Sequence, residues 1–346
     1  MQNKAKLISD NPLFVAEISA NHLGDFERAK ELVRAAILSG ANAVKFQTYT
    51  AETMTLKIDN PQFRISDDHE LWGGKLLYEL YETAHTPWEW HEELFSICRD
   101  ADVIPFSSPF DFTAVEFLET LNCPIYKIAS METGDLPLIE MVAETGKPLI
   151  ISTGATTWQE IEAVVECVAS TGNRDLTLMI CTSSYPALPR DAHLKRMETI
   201  CSSFDVKVGL SDHTLGIGVS LAAIALGASV IEKHFTLRRS DGGADGAFSM
   251  EPAEFAQLVL EGKSATESLG SPNWSIQDSE SESRRLRRSL FITSDVNAGD
   301  EVTHRNVRSI RPNGGCPPAH LDTLIGKRFI SNHSAGTPMD PNFVQT

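Results

Sequence analysis

No two cysteines in this sequence are spaced as C-x-x-C. Cys98, Cys123, Cys167, Cys181, Cys201 and Cys316 stand far apart. That argues against a structural zinc or a disulfide framework and predicts reduced thiols in a cytoplasmic setting. No apolar run reaches the roughly 18 residues of a membrane-spanning helix. The opening MQNKAKLISDNPLF lacks the hydrophobic centre of a signal peptide. Positive charge is scarce: 30 Lys and Arg face 47 Asp and Glu, for a net charge of −17. A general nucleic-acid or anionic-membrane role is thereby disfavoured. An anionic small molecule is still admissible if lysines gather in one cleft. No G-x-G-x-x-G follows the first strand pattern, so a dinucleotide fold has no support, and low-complexity tracts are absent.

What is present is a repeating alternation of short apolar runs and helical patterns. FVAEIS reads as a first strand; Asp25 then caps a helix with Ala29, Leu32, Val33, Ala36 and Ile37 on one face, ended by Gly40. AVKFQT, VIPFSS, IYKIAS, PLIIST, LTLMICTSS, VKVGLSD and SVIEKHF read as seven further strands. The helices between them are expected from Thr86 (with Thr86-Pro87-Trp88-Glu89 as cap and capping box) to Arg99, over Thr113–Leu121, through LPLIEMVAETG, after a capping box at Thr157–Glu160, over His193–Ser202, through GVSLAAIALG, and over Pro252–Leu269. A connection from about Tyr49 to His85 breaks the rhythm; its length marks a functional lid or a disordered segment, with LWGGKLLYELYE as a short helix of its own. Eight strand–helix units predict an α/β protein of (β/α)8 TIM-barrel type over residues 1–270. Residues 271–287 read as a polar linker, and residues 288–346 as a small β-rich domain too short to be more than marginal alone.

In such a barrel the active site lies at the C-terminal ends of the strands. Polar residues collect there with the period of two that points them inward. Strand one offers Glu17, with Asn21 and His22 beyond; strand two, Lys45 and Gln47; strand three, Ser107 and Ser108; strand four, Lys127 and Ser130. Strand five ends in Ser152-Thr153, strand six in Thr182-Ser183-Ser184-Tyr185; strand seven offers Ser211 and His213, strand eight Glu232 and His234. Buried charges are costly unless paired. Four of them at four strand ends are better explained by a site than by stability. The two lysines and the hydroxyls describe a pocket for phosphate or carboxylate. His213 and His234, on adjacent strands about 5 Å apart, predict a shared divalent ion whose other positions go to water or substrate. Glu232 would orient His234, bind the ion or move a proton. Gly242 and Gly243 suit a tight loop over the mouth, and Asp245 on it would meet sugar hydroxyls or serve only the turn. Arg311, in the small domain, reads from its surroundings as merely solvated.

Taken together and in order, EISANHLGD, VKFQTYT, YKIAS, STG, CTSSYP, GLSDHT, EKHFT, GGADGAFS and VRSIRPNGG resemble the motifs of the sialic acid synthase family. The likeness spans nearly the whole chain, including a C-terminal antifreeze-like (SAF) domain. EISANH, LYELYETAHTPWEW and CTSSYP look like the branch that makes pseudaminic acid. Ser19 and Ser183 stand where the N-acetylneuraminate branch has glycine and asparagine, which moves the expected sugar away from N-acetylmannosamine. Ala244 replaces a proline common in the family. The resemblance implies condensation of phosphoenolpyruvate with an open-chain amino sugar. It implies that Lys45, Lys127, Ser130, Ser152 and Ser211 hold phosphoenolpyruvate, that His213 and His234 hold manganese, magnesium or cobalt, and that Glu17, Gln47, Ser183, Tyr185 and Asp245 meet the sugar or the intermediate. It also implies a homodimer in which Arg311 reaches the partner's barrel. Glu17 and Glu232 are both candidates to assist water.

Two other readings stay open on the residues alone. Lys127, late in a strand, suits a Schiff-base aldolase, which would be metal-independent and trapped by borohydride. The SAF-like segment by itself would suit a non-catalytic carbohydrate- or ice-binding protein, which leaves the charges at the strand ends unexplained.

Overall fold

The computed structural model describes residues 11–66 and 73–345. Eight parallel strands close into a barrel in chain order: β1 (Leu13–Glu17), β2 (Ala43–Thr48), β3 (Ile104–Pro109), β4 (Tyr126–Ile128), β5 (Leu149–Ser152), β6 (Leu176–Cys181), β7 (Lys207–Ser211) and β8 (Val230–His234), with β8 pairing back onto β1. Strands covered on both faces carry near-continuous apolar runs, as in Phe14-Val15-Ala16 and Leu149-Ile150-Ile151, all buried. The register sets the neighbours at the mouth. Glu17 pairs with Lys45 on one side and His234 on the other, and Ser211 with Glu232.

The outer helices are α1 (Phe26–Leu38), α4 (His91–Asp100), α5 (Phe112–Thr120), α6 (Leu136–Glu144), α7 (Trp158–Ser170), α8 (Arg196–Ser203), α9 (Gly218–Ala225) and α10 (Pro252–Leu269); α2 (Ala51–Met54) and α3 (Leu77–Ala84) belong to the β2–α4 connection. Local signals act where expected. The Asp25 carboxylate accepts from the amides of Glu27 (2.9 Å) and Arg28 (3.2 Å), and Thr157 and Glu160 form a reciprocal capping box. Gly40 follows α1 at φ +86, a left-handed conformation that favours glycine.

Three local expectations are corrected. The helix expected from Thr86 begins at His91, after a 3-10 turn over Trp88–Trp90, and Thr86 caps nothing. Its buried hydroxyl lies instead 3.4 Å from Nε2 of His22. The helix expected from His193 starts at Arg196, because His193 takes a left-handed φ of 44. The helix expected from Thr113 starts at Phe112, with Asp111 as its cap.

The connection after β2 is not structureless. It contains α2 (Ala51–Met54) and α3 (Leu77–Ala84), and Arg64 bridges Leu76. Leu71 and Trp72 of the aromatic cluster lie outside the described residues, as do residues 1–10.

The chain divides into two compact units, the first ending at Gly270 and the second starting at Ser271. The second contains α11 (Ser281–Arg285) and the antiparallel pair β9 (Ser289–Ile292) and β10 (Val307–Ile310). It has a core of its own around Leu290, Ile292, Val302, Val307, Phe329 and Met339. All six cysteines are unpaired. Among the described residues no helix is long and apolar enough to cross a membrane.

Candidate active site

Alternation along the strands turns Glu17, Lys45, Lys127 and Glu232 into the barrel mouth, where none is more than 4% exposed. They form one network. Nζ of Lys45 lies 3.0 Å from Oε1 of Glu232 and 3.4 Å from Oε2 of Glu17. Nζ of Lys127 lies 3.5 Å from the same Glu232 oxygen, and Ser211 Oγ donates to it at 3.0 Å. The two carboxyls are driven apart. For Glu232 burial is outweighed by Lys127 and Lys45, which hold it well below the usual carboxylate range. For Glu17 burial outweighs Lys45, and its pKa rises to about 7. Burial pulls Lys45 down, but Glu17 and Glu232 more than compensate, raising it to about 12. Lys127, with less compensation from Glu232, is lowered by burial. Glu232 is thus a permanent carboxylate and Glu17 a group that gains and loses a proton near neutrality. When Glu17 is protonated, two ammonium groups face one carboxylate, and the floor favours an anion despite the acidity of the whole chain.

Hydroxyls surround this floor. Ser152 Oγ is buried with no hydrogen-bond partner among the described residues, and Ser130 Oγ accepts from the amide of Gly154 at 3.1 Å. A Cβ on Gly154 would lie 2.7 Å from Ser130 Oγ and collide with Ser183 Oγ. Only glycine therefore lets these hydroxyls approach.

The His213 and His234 rings are 5.3 Å apart. A carbonyl only accepts, so Nδ1–H of His213 donates to Thr182 O at 2.9 Å, leaving Nε2 as a lone pair. Nδ1 of His234 is buried without a hydrogen-bond partner among the described residues. Burial, reinforced by His213 and Lys45, lowers His234 well below the usual histidine range, so it is neutral. Burial also pulls His213 down, but Cys181 and the Thr182 carbonyl outweigh it and raise its pKa. Burial pushes the Cys181 thiol up, yet His213, Ser130 and Lys127 bring it to about 7. Two imidazoles with available nitrogens and one anchored from behind fit a divalent ion. Among the described residues no cluster of three His, Cys, Asp or Glu forms a ready cage. A bound ion would take its remaining oxygens from water or substrate, as in an open site.

A second set lies beside the histidines. Ser19 Oγ donates to Asp245 Oδ2 at 2.5 Å and accepts from Gln47 Nε2 at 3.0 Å, while Gln47 also donates to Glu17 at 2.9 Å. Ser19 holds a left-handed φ of 46, unusual for a residue with a Cβ. Burial raises the Asp245 pKa, partly offset by Ser19. The Tyr185 ring packs 4.4 Å from His213 and 5.0 Å from Phe248. Part of the lining is apolar: Met54 of α2, Leu80 and Tyr81 of α3, and Phe110 line the same cleft. Tyr49 packs edge-on against Tyr81 (5.8 Å) and Phe110 (5.1 Å). Glu132, also on the lining, has a buried Oε2 without a hydrogen-bond partner among the described residues, and burial raises its pKa to about 7.

Glu17, Lys45, Gln47, Lys127, Ser130, Ser152, Tyr185, Ser211, His213, Glu232, His234 and Asp245 therefore share one cleft. Ser183 does not line it; it sits behind Gly154, 4.0 Å from Cys181 Sγ. Arg311 is exposed in the second unit, whereas every lining residue belongs to the first. Ser107 turns to Thr48 (2.7 Å), Thr153 to the Met179 carbonyl (3.0 Å) and Asn21 to Phe235 O and Ser249. Ser19 was singled out only as a mark of the branch; the residues sequence reasoning missed are Tyr49, Cys181 and Glu132 with the apolar part of the lining. Cys181 had a signal, being the last residue of strand six at the C-terminal mouth; Glu132 had none.

A closed parallel barrel with paired lysines, two separated carboxyls and two adjacent imidazoles at its C-terminal mouth defines an enzyme whose floor suits a small anion. The chain belongs to the NeuB family, which it matches over residues 32–273. It is 43% identical to the pseudaminic acid synthase of Helicobacter pylori over 96% of this chain and 98% of that protein. It is 39% identical to a pseudaminic acid synthase of Campylobacter jejuni, covering 92% of this chain and 93% of that one. A crystal structure of N-acetylneuraminic acid synthetase from Leptospira borgpetersenii, in complex with citrate, superposes with a TM-score of 0.70 at 32% identity, covering 80% of this chain and 91% of that one.

Proposed function

We propose that the protein acts as a pseudaminic acid synthase, condensing phosphoenolpyruvate with 2,4-diacetamido-2,4,6-trideoxy-L-altrose to give pseudaminic acid and phosphate. The observation that carries the reading is the Lys45–Glu232–Lys127 floor beside the two histidines, in a chain 43% identical to a pseudaminic acid synthase. Lys45, Lys127, Ser130, Ser152 and Ser211 bind the phosphate and carboxylate of phosphoenolpyruvate by charge-assisted hydrogen bonds. His213 and His234 would hold a divalent ion (manganese, magnesium or cobalt), which when bound would supply Lewis-acid polarisation of a carbonyl. As the carbon 2–carbon 3 π bond of phosphoenolpyruvate breaks, carbon 3 bonds to the aldehyde carbon, and the carbonyl π electrons move to the aldehyde oxygen, which takes a proton from solvent to become a hydroxyl. Water adds at carbon 2, and the bond from carbon 2 to the phosphate oxygen breaks. Glu17, whose proton is exchangeable near neutrality, takes the proton from water; Glu232 stays ionised and keeps the lysines in place. Lys45 and Lys127 stabilise the departing phosphate.

The sugar is read from the other side of the cleft. Asp245 and Gln47 suit hydroxyl and amide groups. Met54, Leu80, Tyr81 and Phe110 suit the acetamido methyls and the deoxygenated carbon 6. The second unit is read as an SAF domain whose Arg311 meets sugar in the partner's barrel of a homodimer. Phosphate release, measured over a panel of amino sugars with phosphoenolpyruvate, with added manganese or a chelator, tests the reading. Release is expected with the diacetamido altrose, lost with chelator, and without any borohydride-trapped adduct on Lys127. Equal release with N-acetylmannosamine, or release indifferent to chelator, would overturn the sugar or the metal assignment respectively.

A further inference from the structure

Directly before the two histidines stand Asp212 and Lys233, on the opposite faces of their strands. Neither lines the cleft, both are buried, and Lys233 Nζ lies 3.1 Å from Asp212 Oδ2. Every donor and acceptor of the pair is committed. Lys233 also donates to the carbonyls of Thr214 (2.5 Å) and Gly216 (3.0 Å). Asp212 Oδ1 accepts from the amide (2.9 Å) and hydroxyl (2.7 Å) of Thr214, and its Oδ2 from Ser220 on α9 (2.6 Å). The backbone is therefore gripped on both sides of His213, at Asp212 and Thr214, and tied to the residue before His234. An apolar pair of similar volume would generally stabilise a buried position as well or better. What the ionic pair adds is a fixed separation between two strand ends.

We infer that Asp212 and Lys233 are positioning residues that set the spacing of the His213 and His234 rings and so the affinity of the barrel for a divalent ion. The inference rests on the reading of the two histidines as ligands. It requires that metal affinity respond to the pair more strongly than fold stability does.

The test is titration of Mn2+ into the full-length protein, with free Mn2+ read by electron paramagnetic resonance and the thermal midpoint recorded in parallel. The double variant Asp212→Asn/Lys233→Met leaves no unpaired buried charge. It is expected to fold with a cooperative transition and to bind Mn2+ about 10–100-fold more weakly, the range found for groups that orient metal ligands. Should the double variant not fold, Ser220→Ala, which removes one of Asp212's hydrogen bonds, is expected to weaken Mn2+ severalfold. Affinity equal to wild type in the folded variant, with only the midpoint lowered, overturns the inference while the metal reading stands. Mn2+ binding that is absent from wild type, or unchanged in His213→Ala, removes the metal reading and this inference with it.

Discussion

Lys45 and Lys127 converge on a single oxygen, Oε1 of Glu232, at 3.0 and 3.5 Å. Two cations sharing one carboxylate oxygen keep a positive surplus within reach of an incoming anion. They also spare each lysine from being the sole partner of a buried charge, since Glu232 retains Lys45 and Ser211 if Lys127 is lost.

Lys127→Met is therefore expected to leave the barrel folded and to weaken phosphoenolpyruvate. A hydrogen bond to a charged group is worth about 1.5–3 kcal/mol, so the KM for phosphoenolpyruvate should rise about 10–100-fold. The KM for the sugar should move little. Steady-state kinetics with each substrate varied in turn checks this; an effect confined to the sugar would misplace the anion pocket.

Glu17 gives a pH dependence with a defined sign. Its folded pKa is about 7 against an ordinary 4.5. The folded state thus holds the proton where the unfolded state has released it, and stability falls as pH rises through that window. At about 1.4 kcal/mol per unit, the loss is about 3 kcal/mol between pH 4.5 and 7. Glu17→Gln lacks this loss, so its stability relative to wild type should increase with pH across the same window. Urea unfolding at several pH values measures it; a difference independent of pH would contradict the burial argument.

Ser19 holds a conformation that glycine would hold without strain, and its hydroxyl links Asp245 to Gln47. Ser19→Gly relieves backbone strain of about 1–3 kcal/mol and loses hydrogen bonds of similar worth. Thermal stability should stay within about 1 kcal/mol of wild type, while the sugar KM rises severalfold as Asp245 loses its anchor. An unchanged sugar KM would show that the Ser19–Asp245 contact does not serve binding.

The partner-crossing role proposed for Arg311 predicts complementation. Arg311→Ala and His213→Ala homodimers should each be nearly inactive. Mixed dimers formed by refolding the two together should regain activity, because one barrel keeps its histidine and receives an intact arginine. No recovery, or full activity of Arg311→Ala alone, would end that role.

The period of two along each strand was enough to point Glu17, Lys45, Lys127, Ser211, Glu232 and His234 toward one mouth, because side chains alternate faces whatever the rest of the chain does. Helix caps at Asp25 and Thr157 were equally legible, since donor and acceptor lie within three residues of each other. Prediction failed where a distant partner competed. The Thr86 hydroxyl meets His22 instead of capping α4, Ser107 meets Thr48, and Asn21 meets residues more than two hundred positions away. The sequence by itself determined the barrel, its polar rim and the family. Only the tertiary structure decided that Glu232 stays ionised while Glu17 exchanges its proton near neutrality, and that Met54, Leu80, Tyr81 and Phe110 line the same cleft. Burial and the placing of two lysines around one oxygen are properties of assembled neighbours, and no local pattern encodes them.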